Sequence, residues 1–214
     1  MNALVHTQLL SRHAHHPGPE LTVIDGITLP QARAHEVCGN ARWLFALMVA
    51  NALKGALKGP VFWITPTWQA ETLNPEGMLA LADPGQFTFV SARRAEDALW
   101  TLEEVLRSGA VPLVVAEIPE PPAMTPVRRL HLAAETGARD GQCAPLALLL
   151  TPGQGGAPGI ETRWHMQQAH GVEARAWRLS RLRARTAPPK EWDLRGRPGG
   201  WVLSSAADSA LATG

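Results

Sequence analysis

Strand-like and helix-like patterns of apolar and polar residues alternate through the first 150 residues of the chain. Short runs that are bounded by turn residues predict buried strands. Five strands are predicted in this way, at Arg33–Val37, Val61–Thr65, Phe87–Val90, Val111–Ile118 and Ala144–Leu150. Because helical segments separate them, the pattern predicts βαβ units and a mostly parallel central sheet, which is an α/β fold.

The segment Ala95–Arg107 carries the clearest helical pattern. Its apolar residues recur at i, i+3, i+4, i+7, i+10 and i+11 from Ala95, which places them on one continuous face. Gly109 follows where a C-cap glycine is expected. Further helices are predicted from Arg42 to Leu53, from Asn74-Pro75 to Asp83-Pro84, and from Thr125-Pro126 to Gly137.

The pattern changes after Thr151. A loop rich in glycine and proline spans residues 152–159 and is unfavourable for a helix. Beyond it, strands are predicted at Glu161–Gln167, at Ala174–Arg183, around Trp192 and at Trp201–Leu203. We expect them to form an antiparallel C-terminal β extension. The predicted organisation is an N-terminal arm (1–20), a single domain (21–203, with its parallel core at 21–150 and the extension at 151–203) and a flexible tail (204–214).

The turn between the first predicted strand and helix lacks the chemistry of a phosphate-binding loop. Such a loop has the spacing GxxxxGK[ST], in which backbone amides surround the phosphates and a lysine reaches the terminal ones. Here Gly39 is followed by Asn40, Ala41 and Arg42, with no second glycine, no lysine and no hydroxyl for magnesium. We therefore predict a degenerate nucleotide site at Gly39, Asn40 and Arg42.

Composition narrows the classes of function. The chain has 214 residues and a formal net charge of +1, which gives no general argument for binding nucleic acid or membranes. Two cysteines without a CxxC pair, and no apolar run that is long enough to span a bilayer, favour a cytoplasmic protein. The histidines His13, His15 and His16 have no acid or cysteine at ligand spacing, and no motif of a known catalytic class is present. We therefore expect no metal, no cofactor and no enzymatic activity.

The C-terminal segment carries a local excess of positive charge. From Ala174 to Arg197, eight basic residues stand against two acids, a local charge of +6 with tryptophans interleaved. Arginine with tryptophan suits either single-stranded DNA or a protein interface with aromatic anchors, and a solvated strand face is the third interpretation. Protein binding is favoured over DNA, with any DNA contact indirect, because the whole chain is nearly neutral. The candidate binding residues are Arg163, Trp164, Trp177, Arg178, Arg181, Arg183, Arg185, Trp192, Arg197 and Trp201.

Tryptophans are divided between predicted core and predicted surface. Trp43, Trp63 and Trp100 lie on elements that are predicted to be core, where packing explains them. The four tryptophans of the C-terminal segment lie outside those elements, and we expect them to be the better anchors for a partner.

Several stretches resemble the ImuA proteins, which are RecA-like accessory factors of bacterial mutagenic translesion synthesis. The first runs from Phe89 to Ala110 and contains the pattern ALWxLEExLRSG. The second runs from Thr125 to Glu135. The third is the tail, which contains Glu161-Thr162-Arg163-Trp164, the stretch Ala176–Arg185 and the ending Gly196–Trp201.

The resemblance implies a RecA-like three-layer sandwich and an adaptor role in SOS-induced translesion DNA synthesis. The implied partners are a Y-family polymerase homologue of the ImuB type and an error-prone C-family polymerase, with RecA as a further candidate. In the RecA frame, the glycine-rich loop at Gly153–Gly159 occupies the position of a DNA-contacting loop, but it contains no lysine or arginine. In the same frame, Glu117 at the end of the strand Val111–Glu117 would be the acidic residue of the degenerate nucleotide site, and a structural or interface role is favoured for it.

Other functions stay open at this level. An atypical loop at Gly39–Arg42 would make the chain an ATP-binding regulator of a recombinase filament, which binding of magnesium ATP would reveal. A SulA-like inhibitor that acts on the tubulin-like division ring would change cell length without changing mutagenesis.

Overall fold

The computed structural model describes residues 18–56, 59–69, 71–171, 175–197 and 200–205. Within these ranges the strands are β1 (Glu20–Ile24), β2 (Ile27–Pro30), β3 (Ala34–Cys38), β4 (Val61–Pro66), β5 (Phe87–Ala92), β6 (Leu113–Glu117), β7 (Leu146–Leu150), β8 (Thr162–Gln168), β9 (Ala176–Ala184), β10 (Lys190–Arg197) and β11 (Gly200–Ser205). The helices are α1 (Arg42–Ala56), α2 (Pro75–Met78), α3 (Ala95–Ser108) and α4 (Met124–Asp140). Every strand and helix that was predicted for the core is present, although α2 is much shorter than expected.

The large sheet contains nine strands in the order β11-β10-β9-β8-β3-β7-β6-β4-β5. The strands from β8 to β5 in this order are parallel, whereas β9, β10 and β11 continue the sheet in antiparallel fashion. Val37 of β3 pairs with Leu150 of β7 on one side and with Trp164 of β8 on the other. The predicted mostly parallel core is therefore confirmed. Strands β9, β10 and β11 form the antiparallel extension, whereas β8, which was expected to belong to that extension, pairs in parallel with β3.

Helices cover both faces of the sheet, so the fold has three layers. Along β7, Leu146, Leu148 and Leu150 pack in the core cluster that contains the residues of α1. The residues between them, Ala147 and Leu149, pack in the cluster that contains the residues of α3 and α4. A strand that is buried on both faces needs a continuous apolar run rather than an alternating one, and β7 has that run.

A hairpin of β1 and β2 packs beside α1 and is absent from the sequence-based prediction. Leu21, Ile27 and Leu29 of the hairpin are buried in the same core cluster as α1. Its two-residue turn is Asp25-Gly26, and Gly26 adopts φ +83°. An Asp-Gly pair between two short alternating runs is the signal that identifies such a hairpin.

Trp100 corrects one expectation about the core. It was expected to be packed inside, but 62% of it is exposed. Helix α3 buries Ala98, Leu102 and Leu106, and a residue two positions from Ala98 and from Leu102 lies on the opposite side of a helix. The expectation is correct for Trp63, which is 1% exposed.

His35 of β3 is fully buried and held in one neutral form. Its Nε2 lies 2.9 Å from the carbonyl oxygen of Pro30, so Nε2 must donate to that acceptor. Its Nδ1 lies 2.7 Å from the hydroxyl of Thr162, which therefore donates to it, and the same hydroxyl accepts from Trp164 Nε1 at 2.8 Å. Both ring nitrogens are satisfied only when the ring is uncharged.

We expect the free energy of unfolding to fall as the pH falls from about 6.5 to about 4. Burial lowers the pKa of His35 from 6.5 to about 4, so in this range the unfolded chain binds a proton that the folded chain does not. This difference corresponds to roughly 3 kcal/mol. Urea unfolding at several pH values, compared between the protein and His35→Gln, measures it. The substitution should flatten the pH dependence, and equal slopes in the two proteins would contradict this account.

Candidate functional site

The turn that follows β3 uses its backbone amides within the protein. Gly39 N donates to the carbonyl oxygen of Gly153 at 3.1 Å, and Ala41 N donates to that of Met166 at 3.0 Å. Arg42 N donates to the carbonyl oxygen of Gly39 at 3.4 Å. In a phosphate-binding loop these amides would point at phosphate oxygens. Here protein carbonyls occupy them, so the turn as folded does not fit a triphosphate.

The side chains of the turn are also engaged with the protein. The guanidinium of Arg42 donates back to the carbonyl oxygen of Gly39 at 3.3 Å. Asn40 Oδ1 accepts from the backbone amide of Gln168 at 2.9 Å, which ties the turn to the end of β8. The three residues line a shallow cleft of about 400 Å³ together with Pro152, Gly153, Gln154, His165 and Gln167. The structure therefore brings Gly39, Asn40 and Arg42 together in one cleft, where the hydrogen bonds described above join them to other protein groups.

Glu117 ends β6 as a buried carboxylate with three neutral donors. Its oxygens accept from Trp43 Nε1 at 2.9 Å, from Trp63 Nε1 at 2.9 Å and from Gln69 Nε2 at 2.7 Å. This arrangement joins α1, β4 and the segment after β4 to the end of β6. The structural role that was favoured for Glu117 agrees with these contacts.

Glu36 organises the glycine-rich loop and was missed by the sequence analysis. This fully buried carboxylate accepts from Thr151 Oγ1 at 2.8 Å, from the amides of Gly156 and Ala157, and from Arg163 Nε at 2.5 Å. The sequence did contain a signal for this role, since Glu36 is a charged residue within a strand that was predicted to be buried. Buried charges are almost always paired, so a partner for Glu36 could have been expected. The candidate binding residue Arg163 is therefore one half of a structural ion pair.

Two of the four expected anchor tryptophans lie in the core. Trp164 is 1% exposed and Trp192 is 5% exposed, and Trp164 stacks on Phe45 of α1 with ring centroids 5.6 Å apart. Arg181 lies over both indoles, at 5.8 and 5.4 Å from their centroids, and donates to the carbonyl oxygen of Pro188. The expectation that Trp164 and Trp192 lie outside the core is wrong, because strands β8, β9 and β10 extend the sheet and one face of them continues the apolar core.

Two further candidate arginines are paired within the extension. Arg178 lies 3.3 Å from the carboxylate of Asp193 on the neighbouring strand. Arg185 Nε lies 3.4 Å from the carboxylate of Glu161, which is 4% exposed. Asp193 is already counted in the local charge of +6, so of these two pairs only Arg185–Glu161 offsets part of that excess.

The remaining candidates are Trp177, Arg183, Arg197 and Trp201. Neither arginine forms an ion pair within the part of the chain that the structure describes. The structure brings Trp177, Arg197 and Trp201 together in one groove, whereas Arg183 lies apart from it. The register places Arg183 opposite Arg163 on β8.

Trp100 lies in a second groove, which is formed between α3 and α4. Its lining residues are Glu96, Leu99, Trp100, Glu103, Pro126, Arg129 and Leu130, and its volume is about 290 Å³. Glu103 is nearly buried and pairs with Arg129 at 2.8 Å and with Arg107 at 2.5 Å. The groove therefore combines an exposed indole with charges of both signs, of which Glu103 and Arg129 pair with each other.

Several chemistries find no support in the described residues. Within those ranges, no three side chains of histidine, cysteine, aspartate or glutamate gather as a metal site, and His13, His15 and His16 lie outside them. Burial raises the pKa of the Cys38 thiol to about 12, so that this cysteine is not a thiolate nucleophile at neutral pH. Of the helices that are described, none has both the length and the apolar character to cross a membrane.

No family model matches the chain, and no curated protein matches it significantly. The resemblance to ImuA proteins stays a prediction.

Proposed function

We propose that this protein is a non-enzymatic, RecA-like adaptor of the ImuA type in SOS-induced translesion DNA synthesis. It would link a Y-family polymerase homologue to an error-prone C-family polymerase. One observation carries the proposal: the turn after β3 lies where a nucleotide-binding domain holds phosphate, and its amides at Gly39, Ala41 and Arg42 are bonded to protein carbonyls. A chain that keeps this frame without the phosphate grip acts through its surfaces.

The architecture is compatible with the RecA-like part of the proposal. The chain has a mostly parallel sheet between helical layers. The strand–glycine–helix turn follows β3, and the strand connections run to both sides of β3 in the sheet. In such sheets, ligands bind outside the carboxyl ends of the strands at the point where the connections diverge. The degenerate turn occupies this point.

The groove of Trp100 is the surface that we assign to the polymerase homologue. Trp100 belongs to the ALWxLEExLRSG run that carries the resemblance, and core packing does not explain it because 62% of it is exposed. Tryptophan is among the residues most enriched at the energetic centres of protein interfaces. The two acids and the one arginine that line this groove suit the polar rim of a protein interface better than they suit a polyanion.

Trp100→Ala should weaken capture of the polymerase homologue by roughly thirtyfold, because a central interface tryptophan contributes about 2 kcal/mol or more. The measurement is affinity capture of the co-expressed partner by the tagged full chain, followed by a titration of the purified pair. Capture should be equal with and without magnesium ATP.

The matched control for this experiment is Trp68→Ala, since Trp68 is also exposed, at 55%, and lies outside the groove. It should capture the partner normally, and both variants should melt at the temperature of the unaltered protein. If the unaltered chain fails to capture the polymerase homologue, the adaptor function is wrong. If Trp100→Ala captures it normally, the assigned surface is wrong.

A further inference from the structure

The groove that contains Trp177, Arg197 and Trp201 lies between α1 and the outer strands of the sheet. Its volume is about 670 Å³, which is within the range of about 300–1,000 Å³ that is usual for ligand-binding clefts. It brings together distant parts of the chain: the last turns of α1, the residues that follow α2, and the ends of β9, β10 and β11. Its lining residues are Asn51, Lys54, Leu79, Ala80, Leu81, Arg175, Trp177, Gly196, Arg197, Gly200 and Trp201.

The floor of this groove is a pair of partly exposed indoles. The rings of Trp177 and Trp201 meet edge to face with centroids 5.3 Å apart and an interplanar angle of 75°. Both indoles are only half-buried. Gly196 lies beside them, and a Cβ atom there would be 3.4 Å from Trp201 and 3.7 Å from Trp177. The absence of a side chain at Gly196 therefore leaves indole surface open to the groove.

The rim of the groove is cationic. The charged residues that line it are Lys54, Arg175 and Arg197, and the described lining contains no aspartate or glutamate. Among the residues that the structure describes, none of the three is in an ion pair. In this respect the groove differs from the groove of Trp100, whose lining contains Glu96 and Glu103 and an arginine that pairs with Glu103.

We propose that this groove binds single-stranded nucleic acid. Exposed indole faces stack on bases without regard to sequence, and neighbouring cations neutralise the backbone phosphates. An acidic peptide would use the cations but not the aromatic faces, and a duplex keeps its bases stacked away from such faces. The proposal does not rest on the adaptor function, because it concerns the free chain.

Fluorescence anisotropy of the full chain with labelled oligothymidylate tests the proposal. Trp201→Ala should weaken binding by roughly tenfold or more, since that is the usual effect of removing a stacking platform. The slope of log K against log salt should be about −2 for three neutralised cations, and Lys54→Ala or Arg197→Ala should reduce its magnitude by about 0.7. An oligoribonucleotide of the same length should bind comparably if stacking and charge are the only determinants.

The matched control is Arg183→Ala, an exposed arginine of β9 outside the groove, which should bind as the unaltered protein does. Trp201→Phe should keep part of the affinity, and thermal melting should show that each variant is folded. If Arg183→Ala and Arg197→Ala reduced the affinity for the oligonucleotide equally, binding would reflect general electrostatic attraction rather than the groove, and this result would overturn the proposal. So would an acidic peptide or a duplex that binds as tightly as the single strand, or an unaltered protein that does not bind at low salt.

Discussion

Glu36→Ala is expected to lower the free energy of unfolding by about 3–5 kcal/mol, the usual cost of removing one partner from a buried ion pair. The substitution leaves Arg163, whose side chain is 18% exposed, without its carboxylate. It also removes the acceptor for the amides of Gly156 and Ala157. For a domain of this size, the loss corresponds to a decrease in melting temperature on the order of 10 °C. Urea unfolding followed by circular dichroism gives the free energy directly.

The control for Glu36 is Asp97→Asn, which removes a carboxylate from an exposed pair with Arg94. Exposed pairs of this kind contribute about 1 kcal/mol or less. Replacing both Glu36 and Arg163 by leucine should cost less than Glu36→Leu alone, because no charge is then left buried. A loss below about 1 kcal/mol for Glu36→Ala would contradict the role that we assign to this carboxylate.

Gly39→Ala is expected to destabilise the fold by about 3–4 kcal/mol, through backbone strain and collision together. Gly39 adopts φ +90°, and a Cβ atom there would be 2.2 Å from the carbonyl oxygen of Met166. That carbonyl accepts from Ala41 N at 3.0 Å, so it cannot move away without breaking the bond that closes the turn. The free energy of unfolding and the melting temperature measure the effect.

Gly26→Ala separates strain from collision. Gly26 adopts φ +83°, close to the value at Gly39, but a Cβ atom there meets nothing within 4 Å. It should therefore show only the conformational cost, about 1 kcal/mol. Equal effects at the two glycines would mean that the turn after β3 is not closed against β8 as described.

The closed turn and the two grooves give the protein a consistent physical description. The turn after β3 is closed by hydrogen bonds to the protein's own carbonyls from Gly153 and Met166. Each of the two grooves presents aromatic surface, from Trp100 on α3 and from Trp177 and Trp201 on the outer strands. The two grooves are therefore the surfaces to which we assign the proposed binding functions.

Local pattern was sufficient for much of the fold but not for the sites. The apolar face of α3 and the continuous apolar run of β7 were predictable, because each reflects contacts that repeat along a single element. The choice between Trp164 as an anchor and as a core residue was not, since it depends on which face of β8 continues over α1. Nothing in the sequence around Lys54 indicated that it lines the groove of Trp177 and Trp201, because the arginines and tryptophans of that groove come from the region of β9, β10 and β11.

The amino-acid sequence alone determined the order of the strands and helices from β3 onward, the mostly parallel core, and the missing lysine and second glycine of the turn at Gly39. These follow from the spacing and the chemistry of neighbouring residues. Only the tertiary structure decided which charges are paired, which tryptophans are buried and which distant residues share a groove. The physical reason is that burial and pairing arise from contacts across strands and layers, which residues far apart in the chain make together.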